Sequence, residues 1–299
     1  MRQKITTSVI GSYPIPIDNQ RLMSNYFTKQ DVSWSFFIDQ AVQDILTAGV
    51  DFVSDGQTRD PFIQLFTRKL GGCRIRDRTE ITSKIEYCEP ITIDDQHYAR
   101  HLLPRNKKLI GVITGPYTLA QSCVDLFYHD EKQLCYDFAE AMKKEAELLQ
   151  RHVDLLSIDE PCFSNGMPEY AADIIGIITK HVSVPTRLHA CGDVSHIIPQ
   201  LLDLPVDMLS HEFKATPALL DKFSQYSCSK KICLGSVRSD DPTIEPVQEI
   251  VDHINKGVKI FDKHLIQIAP DCGQRYLPRN VAFQKLQNLV KAGEIINEK

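Results

Sequence analysis

The chain has 299 residues, of which 42% are hydrophobic and 24% charged, a composition that allows a large core and argues against disorder. A formal net charge of −5 without a long lysine or arginine run provides no footprint for nucleic acid or for an anionic membrane surface. Neither a signal peptide nor a run of about twenty apolar residues is visible. We therefore expect a cytoplasmic protein with no nucleic-acid or membrane partner.

Short apolar, β-branched runs alternate with helical stretches, a pattern typical of parallel strands joined by helical crossovers. The predicted strands span residues 6–10, 51–54, 109–114, 155–159, 186–189, 208–211, 232–235 and 265–269. Amphipathic segments predict helices at residues 34–48, 132–152, 168–181, 195–202, 216–226, 244–261 and 280–292. This α/β alternation predicts a single TIM (β/α)8 barrel over residues 1–299 rather than an open sheet.

The longest departure from the alternation is residues 62–107, between the second and third predicted strands. It contains the pair Gly71-Gly72 and alternating polar and apolar residues through positions 75–93. We interpret it as an insertion made of a helix and a β-hairpin.

Unusual residues cluster where predicted strands end, and on this fold active groups lie at the carboxyl ends of the strands. The fifth strand runs into His189 and Cys191, the sixth into Glu212, and the eighth into Cys272. Residues two apart in an extended segment point the same way, so His189 and Cys191 are able to coordinate one ion. One imidazole, two thiolates and one carboxylate suit tetrahedral zinc better than magnesium or calcium.

Two other interpretations of these residues stay open. Each of them, taken alone, is consistent with an ordinary core or loop residue, and a purely structural zinc site is the second alternative. In the catalytic interpretation, Glu212 yields its position to a substrate thiol. Zinc lowers the pKa of such a thiol, and the resulting nucleophile suits attack on a carbon electrophile, which is alkyl transfer.

The order and spacing of six short motifs resemble those of the cobalamin-independent methionine synthases, in particular their C-terminal catalytic barrel and short single-barrel members. The resemblance covers nearly the whole chain. The motifs are TTSVIGSYP at 6–14, SDGQTR at 54–59, TGP at 114–116, IDEP at 158–161, HAC at 189–191 and PDCG at 270–273.

This resemblance implies a homocysteine S-methyltransferase that forms methionine. It implies His189, Cys191, Glu212 and Cys272 as the zinc ligands. It also implies that backbone at Ile10, Gly11 and Ser12 receives the homocysteine carboxylate and that Asp159 faces the ammonium group. A zwitterion needs amide donors at one end and an anion at the other. Asp159 and Glu212 are accordingly the predicted catalytic residues.

The chain departs from the family pattern at three places. Gln57 stands where the family usually has a glutamate that shares the substrate ammonium. Gln121 and Ser122 stand where the folate-using enzymes have a tryptophan that stacks on the pterin. Residues 235–241 (GSVRSDD) contain no histidine, although the family places a proton-delivering one there.

These losses favour a donor that needs no general acid. A folate nitrogen must be protonated to leave, whereas cobalt leaves a methyl-corrinoid with the electron pair. We therefore predict methylcobalamin or a methylated corrinoid protein as the methyl donor.

Three alternatives differ in chemistry. A related zinc barrel acting on coenzyme M or another small thiol would need a basic residue where Asp159 stands. A decarboxylase of the uroporphyrinogen type would need a cleft of arginines and no zinc ligands. A non-catalytic protein that binds a corrinoid or a thiol would keep the barrel without the reaction.

Overall fold

The computed structural model of the chain describes residues 4–16, 34–59 and 61–298. The predicted single domain over residues 1–299 therefore includes positions outside the described ranges. No helix in the described part of the chain combines the length and the apolar character needed to cross a lipid bilayer.

Eight parallel strands form one sheet in the order β1-β11-β10-β9-β8-β7-β5-β2. A parallel bridge between Ser8 and Phe52 joins its two edges, so the sheet curls into a barrel. The barrel strands are β1 Thr6–Thr7, β2 Phe52–Val53, β5 Lys108–Thr114, β7 Leu155–Asp159, β8 Thr186–Ala190, β9 Met208–His211, β10 Lys231–Val237 and β11 Leu265–Pro270. The predicted TIM barrel is confirmed.

Helices connect the strands and cover the barrel. They are α1 Ser35–Thr47, α2 Phe62–Thr67, α3 Ile93–Leu102, α4 Pro116–Ser122, α5 Glu131–Leu149, α6 Ala171–Thr179, α7 Ile198–Asp203, α8 Ala218–Phe223, α9 Val247–Phe261 and α10 Arg279–Asn297. In α9, for example, Ile250, Val251 and Ile254 share the buried face. These three positions follow the helical repeat, so burial of one apolar stripe holds α9 against the sheet.

The insertion between β2 and β5 contains two helices, α2 and α3, and a hairpin formed by β3 Leu70–Ile75 and β4 Thr79–Tyr87. A short strand β6, Val124–Asp125, extends the hairpin in parallel with β4. The buried carboxylate of Glu145 on α5 holds this insertion against the barrel helices. It accepts hydrogen bonds from the Ile91 and Thr92 amides at 2.9 and 2.7 Å. The hairpin within 62–107 agrees with the sequence prediction, which did not separate the two helices.

The barrel interior below the cavity is polar. Ser8, Ser157, Arg187 and Gln267 point into it from four different strands or strand ends, and all are buried. Barrel interiors of this kind are usually filled by branched apolar residues. Ser157 links this polar layer to the cavity above it, because its hydroxyl contacts both Arg187 and Asp159.

Candidate metal and substrate site

Three potential metal ligands meet at the carboxyl ends of β8 and β11. His189 Nε2 lies 3.0 Å from Cys191 Sγ, and the Sγ atoms of Cys191 and Cys272 lie 2.7 Å apart. The three ligand atoms are all within 4.8 Å of one another. Ser210 Oγ contacts Nδ1 of His189 at 3.2 Å, so the other ring nitrogen, Nε2, faces the thiols. A hydrogen bond at the second nitrogen is the usual way in which a ligating imidazole is oriented.

The charge states of these groups fit a cation. Burial lowers the pKa of His189 well below its usual value, so the imidazole is neutral and its lone pair is free to bind a metal. The adjacent Cys272 thiol and burial raise the pKa of Cys191 well above its usual value. A soft divalent cation would favour the thiolate form that the protein alone opposes.

Glu212 follows β9 and lies beside this trio. Its side chain lines the same cavity, yet it is not one of the three residues whose ligand atoms form the compact set. Burial raises the pKa of the Glu212 carboxyl, whereas the neighbouring Gly192 amide and Cys191 thiol act in the opposite direction. The Glu212 carboxylate therefore shares the cavity with the trio but lies outside its compact centre.

Loops from three strands are tied together around Cys272. Ser239 Oγ donates to the Cys272 carbonyl at 2.7 Å, and the Cys272 amide donates back to Ser239 Oγ at 3.1 Å. The Asp271 carboxylate accepts from the Lys214 and Ala215 amides at 3.0 and 2.7 Å. These bonds link the loops that follow β9, β10 and β11, and they fix the backbone from which Cys272 projects.

A cavity of about 610 Å³ opens at this end of the barrel. It is lined by Ile10, Ser12, Gln57, Asp159, His189, Cys191, Glu212 and Cys272, which are all of the predicted site residues except Gly11. Apolar side chains such as Phe62, Leu65 and Leu277 form another part of the wall. Tyr276, at the rim, is 95% exposed. The structure thus brings the predicted residues to one concave site with both polar and apolar walls.

Asp159 ends β7 and is buried at the cavity wall. Ser157 Oγ donates to its Oδ1 at 2.8 Å. Burial raises the pKa of Asp159 to about 6, while the positive charge of Arg187 and the Ser157 hydrogen bond act in the opposite direction. Next to it, the fully buried carboxylate of Glu160 accepts from the Tyr117 and Thr118 amides at 3.0 and 2.8 Å. Glu160 thus holds the start of α4 against β7.

The segment at Ile10, Gly11 and Ser12 passes close to Gln57. Gly11 has a φ of +61°, and a Cβ at this position would lie 2.4 Å from Gln57 Oε1, so the turn requires glycine. Ser54 Oγ donates to the Gly11 carbonyl at 2.5 Å. Among the described residues, Gln57 Nε2 is buried without a hydrogen-bond partner. An unpaired buried donor on the wall of a cavity is suited to meeting a ligand.

His211 stands apart from the site. It is fully buried, and its ring packs against Phe213 and against Phe223 of α8 at centroid distances of 6.1 and 5.9 Å. Burial lowers the pKa of His211 to about 4. This placement agrees with the prediction, from strand alternation, that His211 faces away from Glu212 and packs against a helix.

Residues 5–295 match the family described as cobalamin-independent synthase, catalytic domain. The chain belongs to this family. A methionine synthase of Methanocaldococcus jannaschii is 36% identical, with 97% of this chain and 99% of the relative covered. One from Methanothermobacter marburgensis is also 36% identical, with 96% and 98% covered. These matches confirm the prediction that the chain is an enzyme of the cobalamin-independent methionine synthase family.

A solved structure of a cobalamin-independent synthase gives the same fold. The B12-independent methionine synthase of Shewanella sp. W3-18-1, determined in complex with selenomethionine, aligns with a TM-score of 0.84 and 22% identity. The alignment covers 99% of this chain and 98% of the Shewanella chain. A methyltransferase from Methanosarcina mazei aligns with a TM-score of 0.69 and 15% identity, covering 99% and 94%. At these identities the similarity supports the barrel alone.

Several residues that build the site were not singled out from sequence. Ser210, Ser239 and Asp271 support the predicted ligands, and Ser157 and Arg187 contact Asp159 or its neighbours. A signal for one of them was present, since an arginine inside a predicted barrel strand is unusual. The serines carry no such signal because small polar residues are common in any strand.

Proposed function

We propose that the protein is a zinc-dependent methionine synthase that transfers a methyl group to the thiol of homocysteine. The observation that carries the proposal is the placement of His189, Cys191 and Cys272 in one cavity with Asp159 and the segment at 10–12. A soft metal-binding trio provides a place for a thiol. An anion on one side and backbone on the other provide places for the two charged groups of an amino acid.

In this proposal His189, Cys191 and Cys272 hold zinc, and Glu212 is the ligand that gives way. When bound, zinc lowers the pKa of a substrate thiol so that it is nucleophilic at neutral pH. Glu212 suits an exchangeable role because it lines the same cavity and lies outside the compact set of the other three residues. Glu212 would thus be the one carboxylate of the set, beside one imidazole and two thiols.

The remaining residues position homocysteine. Asp159 accepts a hydrogen bond from its ammonium group, and Ile10, Gly11 and Ser12 present backbone to its carboxylate. Ser54 and the contact of Gly11 with Gln57 hold that segment in place before the substrate arrives. Fixing both ends of the amino acid directs its sulfur toward the metal site, and such orientation contributes much of the rate enhancement in group transfer.

The donor is proposed to be methylcobalamin or a methylated corrinoid protein. Among the described residues that line the cavity, His189 is the one histidine, and the other titratable side chains near it include the carboxyls of Asp159, Glu212, Asp240 and Asp271. The segment at 235–241 brings Asp240 to the cavity, where it pairs with Arg238 at 2.7 Å. The family and the Shewanella synthase are described as independent of cobalamin, which weighs against this donor. Donor and acceptor therefore have to be tested separately.

The test is a matrix of zinc-loaded enzyme with methylcobalamin or methyltetrahydrofolate as donor and homocysteine or coenzyme M as acceptor. We expect methionine to form from methylcobalamin and homocysteine at least about 10-fold faster than product forms in any other combination, because Asp159 disfavours the sulfonate of coenzyme M and a folate nitrogen must be protonated to leave. Turnover with methyltetrahydrofolate alone would refute the corrinoid donor and give one of the cavity carboxyls the role of acid. Preference for coenzyme M would refute the acceptor. Binding without turnover would indicate a carrier protein.

Gln57→Glu tests whether position 57 lies near the substrate ammonium. The change adds an anion to the wall that already carries Asp159, and hydrogen bonds to charged groups are worth more than neutral ones. We expect the KM for homocysteine to fall about 5- to 10-fold. Initial rates against thiol concentration measure it, with 4-mercaptobutanoate, which lacks the amino group, as the control substrate. If KM rises equally for both thiols, position 57 does not contact the ammonium.

A further inference from the structure

Arg187 lies on β8 below the cavity and is completely buried in the barrel. Its guanidinium donates to Ser157 Oγ at 3.2 Å, to Ser8 Oγ and Gln267 Oε1 at 3.1 Å each, and to the Val9 carbonyl at 3.2 Å. These four oxygen acceptors are all neutral. A buried cation without a directly paired carboxylate is costly, so the charge requires compensation close by.

Ser157 connects Arg187 to a carboxylate. The hydroxyl oxygen accepts from Arg187 Nε, and the same hydroxyl donates to Asp159 Oδ1 at 2.8 Å. Because a guanidinium has donors and no acceptor, the single hydroxyl proton of Ser157 cannot point at Arg187. It is directed to Asp159. The chain of donors therefore runs in one direction, from Arg187 through Ser157 to Asp159.

This arrangement leaves the other oxygen of Asp159 available. Among the described residues, the Ser157 hydroxyl is the hydrogen-bond donor found for the Asp159 carboxylate, and Asp159 lines the cavity. The positive charge of Arg187 favours the ionised form of the carboxylate against the effect of burial. The buried arginine and the buried aspartate thus compensate each other across one serine.

Arg187 also reaches the other proposed recognition element. Its bond to the Val9 carbonyl lies one residue before the segment at 10–12, and its bond to Ser8 lies at the bridge that closes the barrel. The Arg187 guanidinium therefore contacts Ser157, which binds Asp159 on the ammonium side, and Val9, which precedes the segment at 10–12 on the carboxylate side. A lysine has no planar fork with which to make these contacts together.

We propose that Arg187 and Ser157 are positioning residues that orient Asp159 and thereby set the preference of the site for thiols that carry an ammonium group. The proposal rests on the proposed function, because it takes Asp159 to be the group that faces the substrate ammonium. It concerns selectivity among thiols and does not give either residue contact with the reacting atoms.

The variants Ser157→Ala, Arg187→Lys and Arg187→Met test this relay, by which we mean the hydrogen bonds that run from Arg187 through Ser157 to Asp159. Calorimetry measures the Kd of the zinc-loaded protein for homocysteine and for 4-mercaptobutanoate, and the selectivity is the ratio of the two values. We expect Ser157→Ala to reduce the selectivity about 10-fold, the size expected for one hydrogen bond to a charged group. Arg187→Met should reduce it further, and Arg187→Lys should retain part of it because the charge remains.

Ser236→Ala is the matched control, since Ser236 is also buried on a barrel strand and donates to the Leu234 carbonyl at 2.9 Å. It should leave the selectivity unchanged. Equal weakening of both thiols in Ser157→Ala and Arg187→Lys, with selectivity kept, would overturn the relay and leave Arg187 a purely structural residue. A wild-type protein that selects homocysteine but does not methylate it would refute the proposed reaction and leave the relay standing. A wild-type protein without selectivity would refute the relay.

Discussion

Replacement of Cys272 by serine is expected to abolish stoichiometric zinc binding and to lower methyl transfer to homocysteine more than about 100-fold. Loss of outer-shell partners alone costs about 10- to 100-fold in metal affinity or activity, and a thiolate is a stronger zinc ligand than a serine hydroxyl. The Sγ atom of Cys272 lies 2.7 Å from that of Cys191, so the substitution alters the centre of the trio. Elemental analysis of the purified variant and initial rates with a saturating donor measure the two effects.

Cys228→Ser is the control for this substitution. Cys228 is half-buried in the loop before β10, and its thiol donates to the Lys230 carbonyl at 3.4 Å, a bond that serine is able to keep. The variant should bind zinc and turn over like the wild type. A Cys272→Ser protein that retains both a full equivalent of zinc and its activity would remove Cys272 from the metal site.

The periodicity of the sequence was sufficient to predict the barrel because short strand segments, most of them apolar, alternate with amphipathic helical segments along most of the chain. The bounds of β7 and β9 agree with the predicted 155–159 and 208–211. The first strand differs most: residues 6–10 were predicted and β1 ends at Thr7. Beyond Thr7, Ser8 keeps a single bridge to Phe52, and the chain then turns at Gly11, whose φ is positive. Propensity alone does not reveal where a turn takes over from a strand.

Side-chain direction explains why the candidate metal trio was predictable and its support was not. His189 and Cys191 are separated by one residue at a strand end, so they were expected on one face. In the structure, His189 Nε2 lies 3.0 Å from Cys191 Sγ. Ser239 contacts Cys272, and Asp271 contacts the backbone at 214–215, from loops whose conformation no local pattern specifies. These contacts depend on how three loops fold over one another, which is a property of the tertiary structure.

The predicted helix at 195–202 illustrates a second limit. The structure has a short 3-10 helix, Ser195–Ile197, followed by α7, Ile198–Asp203. Pro199 lies in the first turn of α7, where its missing N–H removes no helical bond. The apolar pattern is continuous across the junction, so periodicity indicated one helix where the structure has two short ones.

Asp159→Asn is expected to weaken the binding of homocysteine about 100-fold and to leave that of 4-mercaptobutanoate within about 3-fold of the wild type. The substitution keeps the shape and the Ser157 contact but removes the charge, and losing one partner of a buried charge pair costs about 2–5 kcal/mol. Isothermal titration with each thiol measures both affinities. Steady-state rates should show the effect mainly in KM. At saturating homocysteine the thiol still reaches the three metal-binding residues, so kcat should change little.

Asp51→Asn separates this charge effect from a general loss of structure. Asp51 lies at the opposite end of the barrel, where its carboxylate accepts from the Thr7 amide and hydroxyl at 2.9 and 3.0 Å. Its replacement should lower the melting temperature without changing the ratio of the two affinities. An Asp159→Asn protein that loses affinity for both thiols equally would show that Asp159 shapes the cavity and does not face the ammonium group. An unchanged affinity for homocysteine would place the ammonium group elsewhere and would leave the unpaired amide of Gln57 as the polar group to test next.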